Sequence, residues 1–151
     1  MSKILIVEDE PGIAFALEND LRTEGYEVAV VGDGVEAVRR AIRNLLENAV
    51  KYSPECRTVW VEGVVNRHQA AISVRDRGMG IEQAEQREIF HEFVRGAAAK
   101  KAGIKGTGIG LSMVRQIVDA MDGQIRVESA AGVGSTFTIL LPLAGREETG
   151  Q

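Results

Sequence analysis

Apolar residues recur along this chain in two rhythms. Lys3-Ile-Leu-Ile-Val7 is a continuous apolar run, as in a strand buried on both faces. Glu8-Asp9-Glu10 follows, and Pro11 suits the first turn of a helix striped by Ile13, Ala16, Leu17 and Leu21, with Gly25 to close it. Glu27–Val31 reads as a second strand, ended by the turn Gly32-Asp33-Gly34. Together these predict a βαβ unit with acidic residues at its carboxyl edge, where open parallel sheets usually place ligands.

From Val35 the rhythm turns helical and runs to Ser53, where Pro54 discourages continuation. Val38, Ala41, Ile42, Leu45 and Ala49 form its core stripe. Thr58–Glu62 and Ala70–Val74 predict an antiparallel hairpin around Asn66–Gln69. A helix is predicted over Gln83–Val94, carrying Ile89, Phe90 and Phe93. Residues 96–105 are small and basic without an anchoring stripe, the pattern of a mobile segment. Gly106-Thr107-Gly108-Ile109-Gly110-Leu111 then opens a helix with Val114, Ile117, Val118 and Met121 on one face. Two alternating strands, Gln124–Glu128 and Ser135–Leu141, finish the fold, and the polar tail 144–151 predicts disorder.

The edge of the long helix carries the chemistry. Asn44, Asn48 and Tyr52 share one face, with Lys51 on the same edge. A carboxamide oxygen suits a hard cation such as Mg²⁺, and a lysine suits phosphate. Alone, such an edge is usually a solvated face. The glycines before Leu111 let backbone N–H groups approach an anion at a positive helix end, although a flexible hinge would use them equally well. They form neither a Walker loop, for want of Gly-Lys-Ser/Thr, nor a dinucleotide fingerprint, because Leu111 stands where a third glycine belongs.

Composition narrows the classes. The chain has 151 residues, 44% of them hydrophobic, enough for one good core or two small ones. A net charge of -4 offers nucleic acid and acidic membranes no long-range attraction. The single cysteine, Cys56, excludes a disulfide framework and a Cys-rich zinc site. No apolar run reaches a membrane span and no signal peptide is visible, so a soluble, cytoplasmic protein is expected.

Five boxes in order make a stronger signal than any one alone. They are Asn44-x-x-x-Asn48-Ala-x-Lys51-Tyr52, Asp76-x-Gly78-x-Gly80-Ile81, Ile89-Phe90-x-x-Phe93, Gly106-x-Gly108-x-Gly110-Leu111, and Gly132-x-Gly134-Ser-Thr136-Phe137. This series resembles the ATP-binding catalytic domain of sensor histidine kinases, in the wider gyrase–chaperone–kinase superfamily. The resemblance implies an α/β fold of Bergerat type, a two-layer α+β sandwich with a mixed, largely antiparallel sheet under helices. It implies that Asn48 coordinates Mg²⁺ on the ATP phosphates with Asn44 in support, and that Lys51 neutralises phosphate charge. Tyr52, Asp76, Gly78, Gly80 and Ile81 would form the adenine pocket, Asp76 accepting from the exocyclic amine and the glycines letting the base lie against backbone. Phe90 and Phe93 would anchor a lid, while Gly106, Thr107, Gly108, Gly110 and Leu111 would wrap the phosphates. Thr136 would sit near adenine. Hydrolytic superfamily members carry a glutamate at the place of Asn44, so an amide there implies phosphoryl transfer rather than fast ATP hydrolysis.

The opening resembles something else. Ile4–Pro11, Gly25–Val28 and Asp33–Ala37 resemble the first third of a response-regulator receiver domain, in which Glu8 and Asp9 would hold Mg²⁺. No Asp lies between Gly34 and Arg75 to serve as the phosphorylated residue, so a solvated acidic loop is the plainer reading. The expected division is therefore a truncated receiver-like segment at 1–34, a catalytic domain at 35–143 and a tail. Val28–Asp33 also fits the strand by which kinase domains enter the Asn helix. Whether residues 1–26 dock on the sheet is open from sequence. His68 falls in a hairpin turn, and His91-Glu92-Phe93 fits the Phe box better than an acceptor motif. Any phosphoacceptor histidine is therefore expected on a helical hairpin of another domain or protein, with a response regulator as a further partner. The rival readings are a regulatory nucleotide-binding module and an inert fusion.

Overall fold

The computed structural model describes residues 3–91 and 110–143. β1 (Lys3–Val7) pairs in parallel with β2 (Glu27–Val31), linked by α1 (Pro11–Thr23). The Glu10 carboxylate caps α1 by accepting from the Ile13 N–H, Pro11 occupies the first turn, and Gly25 leaves the helix at φ 89°. α2 (Gly34–Lys51) starts at Asp33, whose carboxylate accepts from the Glu36 N–H at 2.8 Å. The hairpin β3 (Trp60–Val65) and β4 (Gln69–Arg75) turns on Asn66, whose side-chain oxygen accepts from the N–H groups of His68 and Gln69. α3 (Gly110–Ala120), β5 (Gln124–Ala130) and β6 (Gly134–Pro142) complete the described chain.

β3 to β6 form an antiparallel sheet in the order β3-β4-β6-β5, separate from the β1–β2 pair. Helices α2 and α3 cover one of its faces. Ala37, Ala41, Leu45 and Ala49 repeat every fourth residue on α2 and are at most 3% exposed. Three alanines in that stripe let α3 approach closely, so Val114, Ile117 and Val118 interlock with Leu45 over Val74, Phe137 and Ile139. Each fully buried side chain of this kind contributes about 1.5–3 kcal/mol. This two-layer α/β sandwich bears out the expected fold class.

The N-terminal unit docks rather than hangs loose. Leu5 and Val7 pack against the helix-layer core, while Ile6, Ala14 and Val28 are buried between the small sheet and α1. β2 therefore leads into α2 as expected, but it pairs with β1 instead of joining the antiparallel sheet.

One expected element changes form. The helix predicted over Gln83–Val94 is two 3-10 turns, Gln83–Glu85 and Glu88–Phe90, with residues 92–94 outside the described part. The Gln86 amide donates to the carbonyls of Ile81 and Ser129, and Ile89 and Phe90 reach the core. These tertiary contacts override the helical spacing. The predicted mobile segment 96–105 and the tail 144–151 also lie outside the described residues.

Candidate functional site

Three segments meet at the C-terminal end of α2. The helix repeat aligns Asn44, Asn48 and the capping Tyr52 on one edge, and Lys51 is the last helical residue. Lys51 is exposed, with its Nζ 5.5 Å from the centre of the Tyr52 ring. Asn48 faces the start of α3: a Cβ added at Gly110 would lie 3.9 Å from Asn48 Oδ1. Asn44, one turn earlier, is half-buried and its amide donates to the Met113 sulfur of α3 at 3.5 Å. So the helix edge brings a carboxamide oxygen to a helix N-terminus, where backbone N–H groups and the helix dipole favour anions. Leu111 continues α3 from Gly110 and packs against the core. Gly106, Thr107 and Gly108, like Phe93, lie outside the described residues.

The second segment is the loop after β4. Asp76 is only 8% exposed, and its Oδ1 accepts from the N–H groups of Gly78 at 2.8 Å and Ser135 at 3.3 Å. Its other carboxylate oxygen makes no hydrogen bond among the described residues. The glycines of this loop answer to backbone packing. A Cβ on Gly78 would overlap the Tyr52 carbonyl and crowd Ser53 Oγ, and one on Gly80, at φ 67°, would overlap the Ala130 carbonyl. The side on which each glycine lacks a Cβ is thus filled by protein backbone. Met79 ties the same segments together, its N–H donating to the Tyr52 carbonyl and its carbonyl accepting from Gly132 N–H. Ser53 Oγ is buried there without a hydrogen-bond partner among the described residues.

The third segment is the β5–β6 hairpin, which carries Ser135 and Thr136. Val74, Phe137 and Ile139 face the helices, so the strand alternation turns Arg75 and Thr136 to the opposite face. Thr136 thus shares the open face with Arg75 and Glu128, its register neighbours. Ser135, not Thr136, is buried beside Asp76. Ser135 Oγ also lies 2.8 Å from Ser129 Oγ, which accepts from the Ile81 N–H and donates to the Gly134 carbonyl. Phe90 packs edge-on to Phe137, with ring centres 6.3 Å apart.

Comparison with known proteins decides the family. Residues 33–145 match the family of histidine kinase-, DNA gyrase B-, and HSP90-like ATPases. The chain belongs to this family. Its relatives are sensor histidine kinases, and it corresponds to their ATP-binding catalytic domain. It is 38% identical over 124 residues to the sensor-like histidine kinase SenX3 of Mycobacterium tuberculosis, across 82% of this chain and 30% of that protein. The chain thus spans under a third of that relative's length. Among solved structures, the mycobacterial sensor histidine kinase MprB aligns with a TM-score of 0.64 at 33% identity, over 70% of this chain and 72% of that one. Full-length ShkA in complex with AMPPNP shares the fold, with a TM-score of 0.62 at 23% identity over 95% of this chain and 26% of that one.

The acidic loop after β1 precedes the residues that match the family. Glu8 Oε1 accepts from the Glu10 N–H, Asp9 is exposed, and no cluster of three potential metal ligands occurs among the described residues. His68 and His91 are exposed, the latter 3.8 Å from the Glu88 carboxylate. No described helix is long and apolar enough to cross a membrane. Sequence reasoning missed Ser129, Ser135 and Gln86. The signal for Ser135 was available in the odd-numbered alternation with Phe137 and Ile139. Ser129 and Gln86 act through side chain-to-backbone bonds that no spacing announces.

Proposed function

We propose that this chain binds Mg·ATP between α2, the 76–81 loop and the start of α3, and passes the γ-phosphoryl group to a histidine on another domain or protein. The observation that carries the reading is Asn48 Oδ1 set against the N-terminus of α3. A neutral oxygen ligand and an anion-favouring helix end converge there, as a metal-bound polyphosphate requires. Asp76 supports the base end, having an oxygen uncommitted to backbone among the described residues, while the Ser53 hydroxyl, without a partner among them, adds a polar group beside it. The donor set suits the ion, since a carboxamide oxygen is a hard ligand.

In this reading Asn48 would hold Mg²⁺, which supplies charge neutralisation on the phosphates. Lys51 adds a flexible positive charge at the phosphate end, and Tyr52, Asp76 and Ser135 line the base. Gly106, Thr107, Gly108, Gly110 and Leu111 approach the phosphates. The P–N bond to the acceptor imidazole forms as the bond to the ADP oxygen breaks, so the protein's task is positioning and electrostatics. Asn44 cannot accept a proton from water, and its amide already donates to Met113, which favours transfer over hydrolysis. Residues 35–143 are the catalytic domain and 1–34 a receiver-like cap. A helical-hairpin phosphoacceptor and a response regulator are the partners, in the cytoplasm where ATP is available.

The test incubates the chain with γ-labelled ATP and a separately purified histidine-bearing helical hairpin. Label on the hairpin, and none on the chain alone, is expected. Self-labelling of the chain, or no transfer to any of a panel of such hairpins despite nucleotide binding, contradicts the reading.

A further inference from the structure

β3 is the outer strand of the four-stranded sheet, and its second edge is unpaired among the described residues. Exposed strand edges are normally protected by charge, yet within Trp60–Val65 only Glu62 is charged. Val61, Val64 and Val65 are 55%, 54% and 70% exposed. At one end of the strand stands Trp60, the chain's only tryptophan. Arg75 lies directly across from it in register, with its guanidinium carbon 4.6 Å from the indole centre, and that of Arg77 is 5.0 Å away. Both arginines are exposed, and neither meets a carboxylate among the described residues, although the chain carries more acidic than basic groups. Arg75 reaches from β4 over β3, so its charge is carried toward the open edge rather than into the sheet.

We propose that the β3 edge is a docking surface for an extended acidic segment of a partner protein. The segment adds as a strand beside Trp60–Val65, with a carboxylate reaching the Arg75 and Arg77 guanidiniums. Strand addition satisfies the β3 backbone groups left unpaired among the described residues, and alternate apolar side chains of the newcomer cover Val61 and Val65 on the face opposite Trp60 and Arg75. The indole holds the two guanidiniums in place before the partner arrives, which lowers the ordering cost of a charge-assisted, fork-shaped contact. An acidic partner is specified because two unpaired cations lie within reach of one ring and one edge. The surface adjoins the 76–81 loop, since Arg75 and Arg77 flank Asp76 in the chain, and its test uses no nucleotide, so failure of one reading leaves the other distinguishable.

Trp60 is also the reporter. The full chain is titrated with a blocked eight-residue peptide alternating valine and glutamate, and with its glutamine counterpart, while Trp60 emission is followed. A saturable change with the glutamate peptide is expected, weakening several-fold when salt is raised from about 0.05 to about 0.5 M. The double variant Arg75→Gln, Arg77→Gln is expected to bind at least about tenfold more weakly. Val64→Glu, at an exposed position that tolerates a charge, is expected to repel the peptide and weaken it several-fold in an intact fold. No emission change, or equal binding of the glutamine peptide, overturns the proposal. So does an identical response to inorganic phosphate that competes with the peptide, which would make the cluster a small-anion site.

Discussion

The two ends of this molecule bury apolar surface to very different degrees. In the α2–β6 sandwich, Leu45, Val74, Val114, Ile117, Val118 and Ile139 are all at most 1% exposed. In the β1–α1–β2 unit only Ile6, Ala14 and Val28 are buried among the described residues, while Ile13, Phe15 and Leu17 of α1 remain 50%, 66% and 43% exposed. Both regions carry helices with sound caps and strands with apolar runs. The difference lies in what each helix faces: α2 and α3 cover a four-stranded sheet and each other, whereas α1 covers only a parallel pair. A two-stranded sheet offers too little surface to bury a helix face, and such a unit depends on its neighbours for stability. The buried core therefore belongs to the sandwich, which also carries the proposed nucleotide site, and the N-terminal unit packs on it.

Substitutions can break this contrast in a graded way. The largest effect is expected from Leu45→Ala, which opens a cavity where α2, α3 and the sheet converge. A loss of about 2–5 kcal/mol is expected in urea denaturation, and a loss under about 1 kcal/mol would show that the helix layer is not the stabilising core. Next comes Gly80→Ala, which forces a side chain into the left-handed region and against the Ala130 carbonyl. It is expected to cost about 1–3 kcal/mol and to weaken ADP binding, because the loop carrying Asp76 must shift. The smallest effect is expected from Phe15→Ala on α1, within about 0.5 kcal/mol by the same denaturation measurement. A larger cost there would mean that α1 is covered in solution.

Much of this was readable in the order of residues. The Asn44–Tyr52 edge needed only the helical repeat, and Pro11 marked the first turn of α1. Strands β4 to β6 followed from alternation with errors of a residue or two at their ends. What was not readable depended on contacts between distant segments. Nothing local distinguishes a 3-10 turn from a helix at Gln83–Phe90; the Gln86 bonds to Ile81 and Ser129 decide it. Gly78 and Gly80 could be marked as special, but the carbonyls that fill their vacant sides belong to Tyr52 and Ala130, the latter some fifty residues away in the chain. The choice between Ser135 and Thr136 turned on which face of β6 meets the helices. The parallel pairing of β1 with β2 followed from the two apolar runs, but whether that unit docks on the sandwich depended on Leu5 and Val7 meeting a core built from distant residues.

The central claim is that α2 presents a nucleotide through Asn48 at the start of α3. Calorimetric titration of the purified chain with ADP, with and without Mg²⁺, beside an Asn48→Ala variant, tests it most directly. The account predicts magnesium-dependent binding in the parent chain, weakened about 10–100-fold or lost in a variant whose denaturation midpoint is unchanged. Absence of binding by the folded parent chain, or equal binding by the variant in Mg²⁺, would contradict it.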